Sequence, residues 1–314
     1  MEPRHPQHRY LRQTRPLPAL ALTPSADVTQ ALRTADPTRS GDPATLERIW
    51  AASLGVAGEA VVVAAGRELA LSRLMACLLG PDDVVALAGP ADPDLRRAVL
   101  LPGARWVDLG RDARWGLQTE ALDRVLADGV SSLCVFSRPG PLGLPVDPLS
   151  AVERALDAGQ TVVVDEEYLA WAAPGSVSAL ALLGLHPERL IVLRGMPEAG
   201  LGDRSPVLLV APGLASRLRP ALPPAIWEPA LAGALAALAD PLGLAAAARG
   251  AAATVSSLAA ALAPDPDHHV SASAGPRLLV RRYDGQPLGA VPVAAEAWTD
   301  GDSALRDATV LTPR

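Results

Sequence analysis

The sequence predicts an α/β fold with a mainly parallel central sheet over residues 23–211, followed by helices and a smaller C-terminal α+β subdomain over 212–314. Three patterns predict it. Between about residue 60 and 210, short β-rich runs alternate with stretches of helical periodicity, the mark of β-α-β connections. Several runs are apolar throughout, as strands covered on both faces tend to be. After Val210 the alternation gives way to Ala-rich stretches.

The elements follow in order. Residues 1–22 form an N-terminal arm, Pro-rich and locally basic (Arg4, Arg9, Arg12, Arg15), either reaching a partner subunit or frayed in solvent. Strands are predicted at Val61–Ala65, Val84–Leu87, Arg105–Leu109, Leu133–Ser137, Thr161–Val164, Leu190–Leu193 and Val207–Val210. Arg67–Leu79 predicts a helix because Leu71, Leu74, Met75 and Leu78 fall on one face. Pro148–Ala158 predicts another, with Asp147 as its N-cap. Two or three Ala-rich helices fill 212–262. A Pro/Asp/His loop at Pro264–His269 and short strands near 270–282 and 308–311 complete the chain.

Composition narrows the function. Hydrophobic residues make up 49% and charged residues 20%, which argues against disorder. A formal net charge of −6 gives no footprint for nucleic acid. The apolar patch Leu17–Leu22 is too short for a secretory signal. Ala230–Leu262 comes near a membrane span but carries Asp240, Pro241 and Arg249, so soluble helices and a cytoplasmic setting are expected. Cys77 and Cys134 lie in apolar surroundings and read as buried thiols. His268 and His269, beside Asp265 and Asp267, invite a metal reading. Without further ligands an exposed loop is the simpler one, and no metal is expected.

Every one of the 28 basic residues counted as Lys or Arg is Arg. Asn is absent too, and Phe, Tyr, Met and Ile are scarce, a bias that a GC-rich coding sequence explains. Surface Lys converts to Arg at little cost. A catalytic amine does not, because a guanidinium forms no Schiff base.

That matters because the order of pieces resembles the fold-type I pyridoxal-phosphate aminotransferases, in particular the histidinol-phosphate aminotransferase branch. The most specific stretch is Thr161–Val210. It holds a buried strand, then Asp165-Glu166-Glu167-Tyr168, a variable segment, the strand Leu190–Arg194, a loop and Val207–Ala211. Gly66-Arg67-Glu68, Pro81-Asp82-Asp83, Pro141-Leu142-Gly143 and Leu305-Arg306 add weaker matches. The C-terminal region looks shortened.

The resemblance assigns roles that can be checked residue by residue. It implies that Asp165 pairs with the pyridine nitrogen, keeping the ring an electron sink, and that Tyr168 bonds its 3′-oxygen. A strand-end carboxylate capping a turn is the bland alternative for Asp165. The Schiff-base lysine position falls on Glu198 in Gly195-Met196-Pro197-Glu198, in a loop about two residues short. Gly195 and Pro197 lack phosphate-holding hydroxyls. The 3′-oxygen Asn falls at Gly140, and the ring-stacking aromatic falls near Asp92. Arg67 sits in the phosphate cup at a helix N-terminus, either assisting or filling it. Arg204 and Arg306 match anion-binding arginines, with surface arginines as the alternative.

Lysine-dependent transamination by this chain is therefore excluded, and no bound cofactor is expected. Non-covalent pyridoxal or pyridoxamine phosphate is a lesser alternative. The leading expectation is a cofactor-independent small-molecule site for an anionic metabolite. Its acid–base candidates are Glu198, Asp165 and Tyr168, with Arg67, Asp92, Gly140, Arg204 and Arg306 around the ligand. The chemistry would be a cyclisation, dehydration or isomerisation in specialised metabolism. The alternative is a pseudoenzyme that pairs with itself or with an active relative. A roomy cleft with converging arginines favours the first; Arg67, Met196 and Trp171 filling the old pocket favours the second. The resemblance also implies a homodimer.

Overall fold

The computed structural model describes residues 24–88, 93–110, 117–129, 131–138, 148–172, 175–202, 205–223, 225–262, 268–270, 278–282, 294–296 and 308–312. In chain order the elements are α1 (Ala26–Thr34), β1 (Ser40–Gly41), α2 (Ala44–Leu54), β2 (Val61–Ala64), α3 (Arg67–Leu78), β3 (Val84–Leu87) and α4 (Pro93–Leu100). Then come β4 (Arg105–Asp108), α5 (Thr119–Asp128), β5 (Leu133–Ser137), α6 (Leu149–Asp157), β6 (Thr161–Glu166), β7 (Leu190–Arg194) and β8 (Val207–Val210). The remainder is α7 (Ala215–Leu218), β9 (Ile226–Trp227), α8 (Glu228–Ala239), α9 (Pro241–Leu262), β10 (His268–Val270), β11 (Leu278–Arg282), β12 (Ala294–Glu296) and β13 (Ala308–Thr312).

Seven strands form the central sheet in the order β2-β8-β7-β6-β5-β3-β4. All neighbouring pairs are parallel except the two made by β8, which runs antiparallel to both β2 and β7. Every predicted strand of this sheet is present; β6 and β7 run further than expected, through Glu166 and Arg194. A β-strand turns successive side chains to opposite faces, and both faces of the inner strands are covered, while β4 at the edge is exposed. Val162, Val164 and Val192 join a core with Leu46, Leu122, Val152 and Ala234 from α2, α5, α6 and α8. Val163, Ile191 and Leu193 join another with Leu71, Leu74, Leu95 and Leu218 from α3, α4 and α7. Burial on both faces is why these strands read as unbroken apolar runs.

The outer strand β2 is closed off by side chains, a common protection for a sheet edge. Glu47 of α2, itself buried, accepts the Val63 N–H at 3.0 Å. Arg219 donates to Glu47 Oε2 at 2.7 Å and to the Val61 carbonyl at 2.8 Å.

Three expectations need adjustment. Asp147 lies outside the described residues; α6 is headed by Pro148, with no side-chain cap bond. Cys134 is buried but Cys77 is only half-buried, so the pair are not equivalent core thiols. His268 and His269 belong to β10, paired in register with Arg282 and Arg281, and not to a loop. The C-terminal strands pair in an antiparallel sheet of order β10-β11-β13-β12. The strand β12 was not anticipated. The N-terminal arm, residues 1–22, lies outside the described residues.

Candidate functional site

The end of β6 carries three carboxylates in a row, and strand geometry deals them to different partners. Asp165 follows Val163 onto the face covered by α3 and α4, where Arg67 waits at the first turn of α3. Arg67 donates to Asp165 Oδ2 from Nε at 3.0 Å and from Nη2 at 2.7 Å. Its Nε also lies 3.1 Å from Glu167 Oε2, and its Nη1 3.8 Å from Asp94 of α4. The Arg67 side chain is only 12% exposed. One guanidinium is thus shared among three carboxylates, in a setting where charge-assisted bonds are strong and an orphaned charge is costly. The other Asp165 oxygen accepts the Glu167 N–H at 3.1 Å.

Gly195 belongs to the same unit. A Cβ there would come within 2.6 Å of Glu167 Cγ and 3.3 Å of Glu167 Cα and carbonyl oxygen. Only a glycine lets the loop after β7 pass this close, so its missing hydroxyl and the seating of Glu167 are two sides of one arrangement.

Glu166 points the other way and is fully buried. It receives four donors: Arg138 Nη1 at 2.9 Å, Arg194 Nη1 at 3.0 Å, the Ser178 hydroxyl at 2.5 Å and the Ala179 N–H at 2.7 Å. Arg138 is buried as well. Sequence reasoning missed this pair. The available signal was a run of three acids ending an apolar strand, which demands cations on both faces.

Tyr168 turns to Trp171, with ring centroids 5.8 Å apart, and the two pack on Ala248, Ala251 and Ala252 of α9. Glu198 sits in the 3-10 turn Pro197–Ala199, which packs on α8 and α9. It looks into a small cavity lined by residues of α1, α8 and α9. Burial pushes its carboxyl up to about 7, against weaker lowering by its own backbone N–H and by Arg194. Met196 beside it is buried, as is Trp171. Asp165, Tyr168 and Glu198 therefore face three different surroundings: Arg67, the α9 surface and the α8–α9 cavity. Asp92, Gly140, Arg204 and Arg306 lie outside the described residues. Among the described residues no group of three or more His, Cys, Asp or Glu is placed to hold a metal ion. No single described helix is long and apolar enough to cross a membrane.

No protein-family model matches the chain. In sequence it is similar to a histidinol-phosphate aminotransferase of Roseiflexus castenholzii, 29% identical over 150 residues, covering 47% of this chain and 39% of the relative. One of Dehalococcoides mccartyi is 23% identical over 156 residues, covering 50% and 42%. The matched segments thus span about two fifths of those relatives. In structure it resembles the histidinol-phosphate aminotransferase of Sinorhizobium meliloti in complex with pyridoxal-5′-phosphate, with TM-score 0.78, 20% identity and coverage of 95% of this chain and 85% of that one. It also resembles the N-succinyldiaminopimelate aminotransferase of Mycobacterium tuberculosis, with TM-score 0.78, 22% identity and coverage of 93% and 89%.

The residues present do not fit the pyridoxal-5′-phosphate held in the Sinorhizobium meliloti structure. The carboxylate that the resemblance gives to the pyridine nitrogen is held by Arg67 and the Glu167 N–H. The place of a hydroxyl is a glycine pressed against Glu167. The sequence contains no amine side chain to close a Schiff base.

Proposed function

We propose, from the premise that this chain is a fold-type I aminotransferase-like protein, that it acts as a pseudoenzyme: a structural or regulatory subunit whose cofactor site is plugged by its own Arg67. The observation that carries this reading is the pair of bonds from Arg67 to Asp165, at 3.0 and 2.7 Å. A guanidinium satisfies there the carboxylate that would otherwise hold a pyridinium. Met196 is buried in the other core layer and Trp171 against α9, so the reading rests on Arg67 alone. In this view the fold is retained for assembly, as a cytoplasmic homodimer or paired with an active aminotransferase relative.

A cofactor-independent acid–base site is the second reading. One observation favours it, the buried Glu198 carboxyl raised to about 7, which is where a general base or acid works best. In that case an anionic metabolite would be held by Arg204 and Arg306.

Native mass spectrometry with added pyridoxal or pyridoxamine phosphate separates these readings. The pseudoenzyme predicts an oligomer without cofactor mass, and uptake only after Arg67→Ala opens the site. Stoichiometric uptake by the unaltered chain would overturn it. A co-purified small mass of another kind would support the second reading.

A further inference from the structure

The 3-10 turn at Pro197–Ala199, the start of α1 and the elbow between α8 and α9 close around a cavity of about 10 Å³. That is room for one water at most. The helices meet at 97°. Asp240 builds the elbow: its Oδ1 accepts the Gly243 N–H at 2.8 Å, capping α9 ahead of Pro241. Facing it, Glu198 is 8% exposed, and its Oε2 has no hydrogen-bond partner among the described residues.

We propose that Glu198 and this elbow form a proton-operated latch. When the carboxyl is protonated, α1 and the α8–α9 elbow close over it; when it is ionised, they lift and admit water. A buried carboxylate oxygen without a hydrogen-bond partner is strongly disfavoured, whereas the neutral acid is tolerated. Among the described residues, two charged groups bear on it. Arg194, from β7, gives Nη1 to Glu166 at 3.0 Å, and its charge lowers the Glu198 carboxyl by less than burial raises it. Among the described residues lining the cavity, the charged group besides Glu198 is Asp240, an anion itself engaged as a cap. Around the cavity α1 contributes Ser25 and Val28, α8 contributes Ala237, and α9 contributes Gly243, Leu244 and Ala247. None of these carries charge.

The sign follows from linkage. Burial raises the closed-state carboxyl from an ordinary 4.5 to about 7. The closed form therefore binds the proton more tightly. Its advantage is complete below 4.5, falls about tenfold for each pH unit above that, and levels off beyond about 7. Opening of the elbow gains up to about 300-fold across that window.

Hydrogen exchange on the full-length protein between pH 5 and 8 tests this. Each amide is corrected for its intrinsic rate. The amides of Val28 and Leu244 should lose protection by roughly ten- to a hundred-fold relative to Val135 of β5 in the same sample. Glu198→Gln keeps the shape and removes the charge, so this variant should show a flat ratio. Parallel behaviour of Val28, Leu244 and Val135 in the wild-type protein would overturn the latch. So would an unchanged pH profile in Glu198→Gln.

Discussion

Replacing Arg67 with alanine removes the one cation shared by Asp165, Glu167 and Asp94. The cost can be worked from the geometry. Arg67 makes two bonds to Asp165, at 3.0 and 2.7 Å, and one contact with Glu167 at 3.1 Å. Charge-assisted bonds contribute about 1.5–3 kcal/mol each, so the two to Asp165 suggest about 3–6 kcal/mol gross. Part of this is returned because the guanidinium no longer has to be desolvated. Asp165 is 5% exposed, which leaves its carboxylate uncompensated. Removing one partner of such a buried pair costs about 3–5 kcal/mol, and that is the expected loss. Urea unfolding followed by circular dichroism reads it as a lower midpoint. Two further results distinguish a plug from ordinary side-chain loss. Guanidinium ion added at tens of millimolar should restore about 1 kcal/mol to Arg67→Ala through mass action, while sodium chloride at equal ionic strength should not. Arg67→Ala combined with Asp165→Asn should cost clearly less than the sum of the two single changes. Additive costs, or a loss below about 1 kcal/mol, would refute the argument.

Other predictions rest on independent contacts. Gly195→Ala should lose about 1–3 kcal/mol in thermal unfolding, because the new methyl meets Glu167 at 2.6 Å and must displace it from Arg67. Glu166→Ala removes the carboxylate shared by Arg138 and Arg194 in the opposite core layer and should cost about 3–5 kcal/mol by the same assay. Burial pushes the Cys134 thiol up to about 11, so Cys134 should resist thiol reagents at pH 8 in the folded protein. The half-buried Cys77 should react first, as peptide mapping after timed labelling would reveal.

How much of this was legible in the sequence depended on whether the signal was local. The central strands could be read because both their faces are buried, and an unbroken apolar run such as Val207–Val210 records that directly. The extra length of β6 could not be read in the same way. Asp165 and Glu166 end the apolar run, yet they stay in the ladder opposite Leu193 and Arg194. The two-residue strands β1 and β9 are defined only by pairing with each other across the chain, and no periodicity marks a strand so short. At the site, Arg67 and Asp165 could each be identified, but their 98-residue separation hid the fact that they are partners. Glu198 could be placed by resemblance to a motif. Its burial depends on α1, α8 and α9 folding over it, which no local pattern records.

The run Thr161–Glu167 has one more consequence. Val162, Val163 and Val164 are identical, so sliding β6 by one residue against its neighbours would keep valine at two of these three positions and bring Thr161 or Asp165 into the third. Apolar patterning, which normally forbids such a slip, opposes it here only at the ends of the valine run. The alignment of the middle of the sheet is instead set by charge. Glu166 is surrounded by four donors spaced for a glutamate, and Asp165 meets a guanidinium spaced for an aspartate. The arginines act as the index marks of the sheet, and their removal would leave β6 choosing between two nearly equivalent alignments.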